Sequence, residues 1–439
     1  MARLPLAAAL ALLLTGPAAA QDIDLAADPV RPGPFATAGA GSHPGRSGPL
    51  TPEELALARV AWRYFENNTQ AATGLANAAH DYPSTSLWDV ASYFGAVHAA
   101  NRLGLIPPAE AEARLLKAAE TLAGLKLSSG GCPNKVYNTL TAAPVTYKNE
   151  PGDIGCSALD IGRLLIWMRI VEERYPATAP AIRRAVAGWG LDRLVRDGEM
   201  YGIGFDAEQK PIPLQEGRLG YEEYAAKGFR LWGHATPRAS APEPYGTVRL
   251  YGVAIPYDSR DPRVLGAHNY VVTESYALDG IEFGWDEPED RSSGPFVHSA
   301  GWMARAAQHI YAAQERRFAA TGILTARTEH QLKEAPYFVY DTLFSDGLPW
   351  ATITDQGESV PQFAAVALKG ALGLWALFDT PYTARLFDTA KAAYDPERGF
   401  YEGVFEQGGG VIREFTANNN GIILETLLYK VAGKLIEAP

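Results

Sequence analysis

The chain has 439 residues, 47% of them hydrophobic, with 39 basic against 50 acidic side chains and a formal net charge of -11. Such an acidic balance repels phosphate backbones, so nucleic acid is excluded as an expected partner, and a polyanionic ligand is disfavoured without a local basic patch. The length allows one large domain with a deep core.

The first twenty residues, MARLPLAAALALLLTGPAAA, have a basic start at Arg3, an apolar run from Leu4 to Leu14 and a small-residue end at Ala18 to Ala20. They read as a secretory signal, cleaved before Gln21. Residues 21–50 are rich in Gly, Pro, Ala and Ser and read as a flexible leader. Residues 51–439 are expected to form a single domain, periplasmic or secreted. No later apolar run is long enough to span a bilayer, so no membrane insertion is expected after signal removal.

From there the predicted elements are helices of two kinds. EELALARVAWRYFENN (53–68) carries charges along one face and belongs on a surface. SLWDVASYFGAVHAAN has no charged residue between Asp89 and Arg102, and a helix apolar all round must be buried on all sides. Residues 109–126 are charged again. Cys132 and Cys156 follow; they either pair, as an oxidising compartment allows, or remain buried thiols.

SALDIGRLLIWM carries only Asp160 and Arg163 in an apolar run, and a charged helix is expected over 179–197. The stretch QEGRLGYEEYAAKGFRLWG (215–233) opens another buried helix. Residues 234–270 are Pro-rich and irregular, with VRLYGVAI (248–255) as the clearest strand. Then come TESYALDGIEFG (273–284), a charged stretch near 298–320, FAAVALKGALGLWALF with Lys369 alone, charged 382–394, and GIILETLLY with Glu425 alone.

Charged and apolar helices therefore largely alternate. Two concentric rings satisfy that pattern, which makes the expected fold all-α: an (α/α)6 toroid with short β segments in rim loops. One outer helix is missing from the pattern, at 234–270. An α-solenoid is disfavoured because no fixed repeat period occurs. Gly-aromatic segments recur between helices, at 73–77, 130–138, 198–205, 321–326 and 398–410, and loops gathered on one rigid rim are where function sits.

No His-Glu-x-x-His, Cys-x-x-Cys, P-loop or Gly-x-Ser-x-Gly motif is present, and no metal or cofactor is expected. Carboxylates do stand at the starts of the apolar helices: Asp89, Asp160, Glu222, Glu223 and Glu274, with Glu402 in the last rim loop. Each has a structural explanation in the helix dipole. Together they suit glycoside hydrolysis, which needs one acid for the leaving oxygen and a second carboxylate opposite. On a helical wheel Glu223, Lys227 and Arg230 share a charged face, whereas Glu222 falls between Phe229 and Ala226. Desolvation there raises a carboxyl pKa and favours Glu222 as general acid. Trp88, Tyr137, Arg163, Arg218, Tyr221 and Tyr401 are placed at the same rim as candidate substrate contacts. Among Asn418, Asn419 and Asn420, one is expected to cap a helix and Asn419 and Asn420 are candidates for sugar hydroxyls.

Seven motifs in order, SLWDVASYFGAVHAANRLGLI, PNKVYN, SALDIGRLL, EGRLGYEEYAAKGF, TGILTARTEH, GFYEGVFE and NNNGIILETLLYK, resemble an exported bacterial family catalogued as a domain of unknown function, over residues 52–433. The motif order is also distantly similar to the glycoamylase-like (α/α)6 family that contains endo-β-1,2-glucanases. There Ser157 to Asp160 resemble a Ser-x-x-Asp motif, Tyr221 to Tyr224 a Tyr-Asn-Glu-Tyr motif and Gly399 to Glu402 a Gly-Phe-Tyr-Asp motif. In that comparison the family glutamate falls on Glu223, against the wheel's choice of Glu222. The resemblance implies an inverting glycoside hydrolase acting on a polysaccharide or oligosaccharide, a bacterial glucan or related exopolysaccharide. Two rivals stay open: a polysaccharide lyase using Ala267-His268-Asn269-Tyr270, and a non-catalytic glycan-binding protein of polysaccharide export.

Overall fold

The computed structural model describes residues 44–216, 218–265, 269–288 and 294–436. The predicted signal segment, residues 21–43 of the leader, and Ala267 and His268 lie outside them. Helices occur at α1 (Pro52–Asn68), α2 (Leu87–Arg102), α3 (Pro108–Ala123), α4 (Ala158–Arg174), α5 (Ala179–Gly188), α6 (Tyr221–Leu231), α7 (Pro262–Leu265), α8 (Glu274–Phe283), α9 (Trp302–Thr321), α10 (Leu368–Leu377), α11 (Pro381–Ala390) and α12 (Ala417–Ala432).

The apolar helices are the buried ones, as their lack of charge requires. Every residue of α8 and of α10 is buried. They pack in cyclic order: α2 on α4, α4 on α6, α6 on α8, α8 on α10, α10 on α12, and α12 back on α2. Backbone contact between α4 and α6 depends on two glycines. A Cβ on Gly228 would lie 1.9 Å from the Gly162 carbonyl, and one on Gly162 would lie 2.6 Å from that of Ala225. The amphipathic helices flank this set, α1 against α12 and α2, α3 against α2 and α5, α9 against α8, and α11 against α10. Glu54 completes the capping box of α1 and also binds Lys430 of α12 at 2.7 Å, which ties the two helices together.

Two expectations are corrected. The helix foreseen over 179–197 stops at Gly188, because Gly188 and Gly190 weaken its continuation; a short 3₁₀ turn (Leu191–Leu194) and a strand follow. VRLYGVAI is not one strand but the middle of a hairpin, Tyr245–Leu250 paired with Val253–Asp258. Tyr251 (φ 48°) and Gly252 (φ 75°) both take the left-handed turn conformation that reverses the chain. The hairpin packs against α9 and stands where an outer helix was missing. The protein is mostly helical, but the described residues also hold seven small antiparallel sheets in the connections.

Cys132 and Cys156 are disulfide-bonded, with Cα atoms 6.1 Å apart. The bond fastens the loop after α3 to the residues just before α4.

Candidate active site

Side chains from the first turns of four buried helices meet. The Trp88 indole N–H donates to Glu274 Oε1 at 3.0 Å and to Asn418 Oδ1 at 3.2 Å. Asn418 Nδ2 donates to the same Glu274 oxygen at 2.8 Å, and Lys369 pairs with the other. Burial opposes charge on Glu274, but Lys369 and Arg163 outweigh it and hold the carboxyl below its ordinary value. Arg163, fully buried, donates to Ser92 at 2.8 Å, Asn418 at 2.9 Å and Glu425 at 3.2 Å, with its guanidinium 4.7 Å from the Trp88 ring. Trp88 and Asn418 remain partly exposed, so this network has an open face.

Asp160, partly exposed, lies in the first turn of α4, three residues before Arg163 on the same helix. Burial comes first, then the charges of Glu216 and Asp89, in lifting its carboxyl to about 7; Lys135 and Ser157 pull the other way. Glu216 accepts the Ala158 N–H at 2.6 Å and has Lys135 Nζ at 3.8 Å. Gly202 makes its place, since a Cβ there would lie 2.4 Å from the Glu216 carboxyl.

The Tyr221 hydroxyl donates to Glu329, and its ring lies 5.7 Å from Trp88 and 6.2 Å from Tyr270. Burial and then Glu274 raise the Glu329 carboxyl, against the pull of Lys369. Tyr270 stacks on Tyr340 at 4.5 Å, and the Arg218 guanidinium sits 5.4 Å from the Tyr270 ring.

The remaining sequence candidates lie in tighter surroundings. Glu222 is fully buried; its carboxylate accepts the Met200 N–H at 2.9 Å and the Gln215 amide at 3.1 Å, turned toward the strand Glu199–Phe205. Glu223 accepts the Gly220 N–H at 2.6 Å at the start of its own helix and the Glu243 N–H at 3.3 Å, and burial holds its carboxyl up to about 8. Asp89 closes the capping box of α2 with Ser86. Glu402 accepts from Thr416 and from the Gln331 N–H at 3.0 Å. The Tyr137 hydroxyl donates to the Lys126 carbonyl at 2.9 Å within the loop core. Tyr401 packs 4.9 Å from Phe415. Asn419 donates to the Tyr401 carbonyl at 2.8 Å and Asn420 to that of Thr416 at 3.0 Å. The cap of α12 is Thr416, so none of the three asparagines serves as one; they begin the helix instead. Of the possible lyase residues, Asn269 bonds the Asp258 carbonyl at 3.1 Å.

Sequence reasoning did not select Glu216, Glu329 or Lys369 as site residues, and of the three asparagines it chose Asn419 and Asn420 rather than Asn418. Lys369 had a usable signal: it is the single charge in an apolar helix, and such a charge needs a buried partner.

This architecture is shared with solved glycoside hydrolases. The endo-β-1,2-glucanase of Chitinophaga pinensis, solved with sophorotriose and glucose, superposes with a TM-score of 0.57 at 12% identity, over 87% of this chain and 93% of that one. An endo-β-1,2-glucanase variant of Talaromyces funiculosus, solved with β-1,2-glucan, gives 0.58 at 11% identity, over 86% and 84%. At such identities the likeness shows the fold alone. Residues 56–433 match the family described as "Protein of unknown function (DUF3131)", and the chain belongs to it. No curated protein matches the chain. Among the described residues no helix is long and apolar enough to cross a membrane.

Proposed function

We propose that the cyclic order of α2, α4, α6, α8, α10 and α12 is the inner ring of an (α/α)6 toroid, and that the protein is an exported, inverting glycoside hydrolase of a bacterial glucan or related exopolysaccharide. One observation carries the reading. Asp160 is partly open to solvent, three residues before Arg163 on the same helix, and keeps its proton up to about pH 7. A carboxyl so tuned can give that proton to a glycosidic oxygen as the C–O bond breaks. The negative charge of Glu216 helps hold the proton in place. Glu329, on the side of Tyr221, takes a proton from the water that attacks the anomeric carbon. Trp88 and Asn418 bind the sugar, while Glu222, Glu223 and Glu402 keep backbone amides satisfied. The Cys132–Cys156 disulfide supports export, since such bonds persist in oxidising compartments.

The test is incubation of purified protein with β-1,2-, β-1,3- and β-1,4-glucans and bacterial exopolysaccharides. Release of sugars, lost in Asp160→Asn, is expected. Products absorbing in the ultraviolet would instead mean a lyase, and no cleavage of any glycan would sink the hydrolase reading.

A further inference from the structure

Phe338 is partly exposed and packs against neither of the buried apolar clusters. A single ring half in solvent needs no explanation, but this one is the outer end of a row. It stands on the strand Phe338–Asp341, where Val339 and Asp341 are buried and Phe338 and Tyr340 alternate with them on the open side. The open face of a strand is ordinarily polar; here it carries two aromatic rings.

From there the row runs ring to ring into the candidate site. Phe338 meets Tyr340 edge-on at 5.2 Å, and Tyr340 stacks on Tyr270 at 4.5 Å. Tyr270 lies 6.2 Å from Tyr221, and Tyr221 lies 5.7 Å from Trp88. The inner end is tied to the carboxylates, since the Tyr221 hydroxyl donates to Glu329 and the Trp88 indole to Glu274. Tyr270 and Tyr221 are nearly covered and serve as backing, whereas Phe338, Tyr340 and Trp88 keep open surface. Three rings stand between Phe338 and Trp88, so a ligand that touches both is longer than one sugar.

A polar group accompanies the outer ring. Gln331, partly exposed, pairs with Phe338 across the ladder, so the two side chains share a face. Its backbone N–H donates to Glu402 at 3.0 Å, but its side-chain amide makes no hydrogen bond among the described residues. A ring for the C–H face of a pyranose and an amide for its hydroxyls are the two parts a sugar site needs.

We infer that Phe338 and Gln331 form an outlying subsite for a glycan chain that leaves Trp88 along this aromatic row, so that long chains are the preferred substrates. The inference rests on the proposed glycan site, and it makes Phe338 a substrate-binding residue remote from the bond that breaks.

Phe338→Ala, Phe338→Tyr and Gln331→Ala variants test it on whichever of β-1,2-, β-1,3- or β-1,4-glucan is cleaved. Steady-state kinetics on the polymer and on a short oligosaccharide of the same linkage give the advantage of length in kcat/KM. Phe338→Ala is expected to cut that advantage about tenfold, through KM. Gln331→Ala should cut it in the same direction, and it decides the matter should Phe338→Ala fail to fold. Phe338→Tyr, which keeps the ring, should preserve it. An advantage unchanged in both Phe338→Ala and Gln331→Ala, or equal losses on short and long substrates, overturns the subsite and leaves a measured hydrolase intact. Where no glucan is cleaved, affinity electrophoresis in gels cast with the same polymers reads binding alone. Wild-type retention that Phe338→Ala weakens would then sink the hydrolase and keep the subsite. Equal retention of the two overturns the subsite, and no retention by any polymer overturns both.

Discussion

Glu216 and Asp160 share the start of α4. Glu216 takes the Ala158 N–H at 2.6 Å, and its charge, after burial, is the larger of the two carboxylate influences that lift Asp160 to about 7. Burial raises the Glu216 carboxyl, but Lys135 and the helix-start amides pull it back, whereas Asp160 has its neighbour's negative charge to contend with on top of burial. One carboxyl is thereby poised to donate a proton and the other to hold it there.

Asp160→Asn is expected to lower kcat by about 10²–10⁴-fold, the usual worth of a positioned acid, without loss of folding. Glu216→Gln removes a negative neighbour, which lowers the pKa of Asp160. The basic limb of the pH–rate profile then moves to lower pH. A limb that stays in place would show that Glu216 does not hold the proton.

The proton of Glu223 is a stability matter. Its folded value, about 8, lies above the roughly 4.3 of an unfolded glutamate. The contribution is therefore full below about pH 4 and is lost as pH rises through 8. The melting temperature of wild type minus that of Glu223→Gln should fall between pH 5 and pH 8.5. Glycan cleavage by Glu223→Gln is expected to persist, since this side chain serves the start of α6. Loss of cleavage with an intact fold would return Glu223 to the catalytic candidates.

Arg163 and Glu425 are both fully buried, and Glu425 Oε2 has no hydrogen-bond partner. Burial holds the Glu425 carboxyl well above the usual range, against the pull of Arg163. Arg163→Met strands that carboxyl and removes a donor from Asn418 and Ser92, at an expected cost of about 3–5 kcal/mol in urea unfolding. Adding Glu425→Leu should recover part of the loss. A double variant no better than the single would place the cost in Asn418 and Ser92 instead.

The disulfide closes a separation of 24 residues. Replacing both cysteines by serine is expected to destabilise the protein by about 3 kcal/mol, read as a lowered denaturant midpoint. Because the bond lies just before Asp160, a drop in kcat at temperatures where the variant is fully folded is also expected.

The local pattern of charge determined much of this protein. Whether a helix has a polar face depends on its own residues, so the alternation of α1, α2, α3 and α4 could be read in order, as could the burial of α10 around Lys369. The hairpin escaped because its reversal uses Tyr251-Gly252, where the common signal is Asn-Gly or Asp-Gly. Tertiary structure alone decided which carboxylates meet. The wheel was sound in desolvating Glu222, but a wheel describes one helix. It could not show that Met200 and Gln215 occupy that carboxylate, or that Glu216, outside any helix, comes to rest on Gly202 beside Asp160. A carboxyl's proton affinity depends on charges and amides brought to it from distant parts of the chain, and only folding brings them.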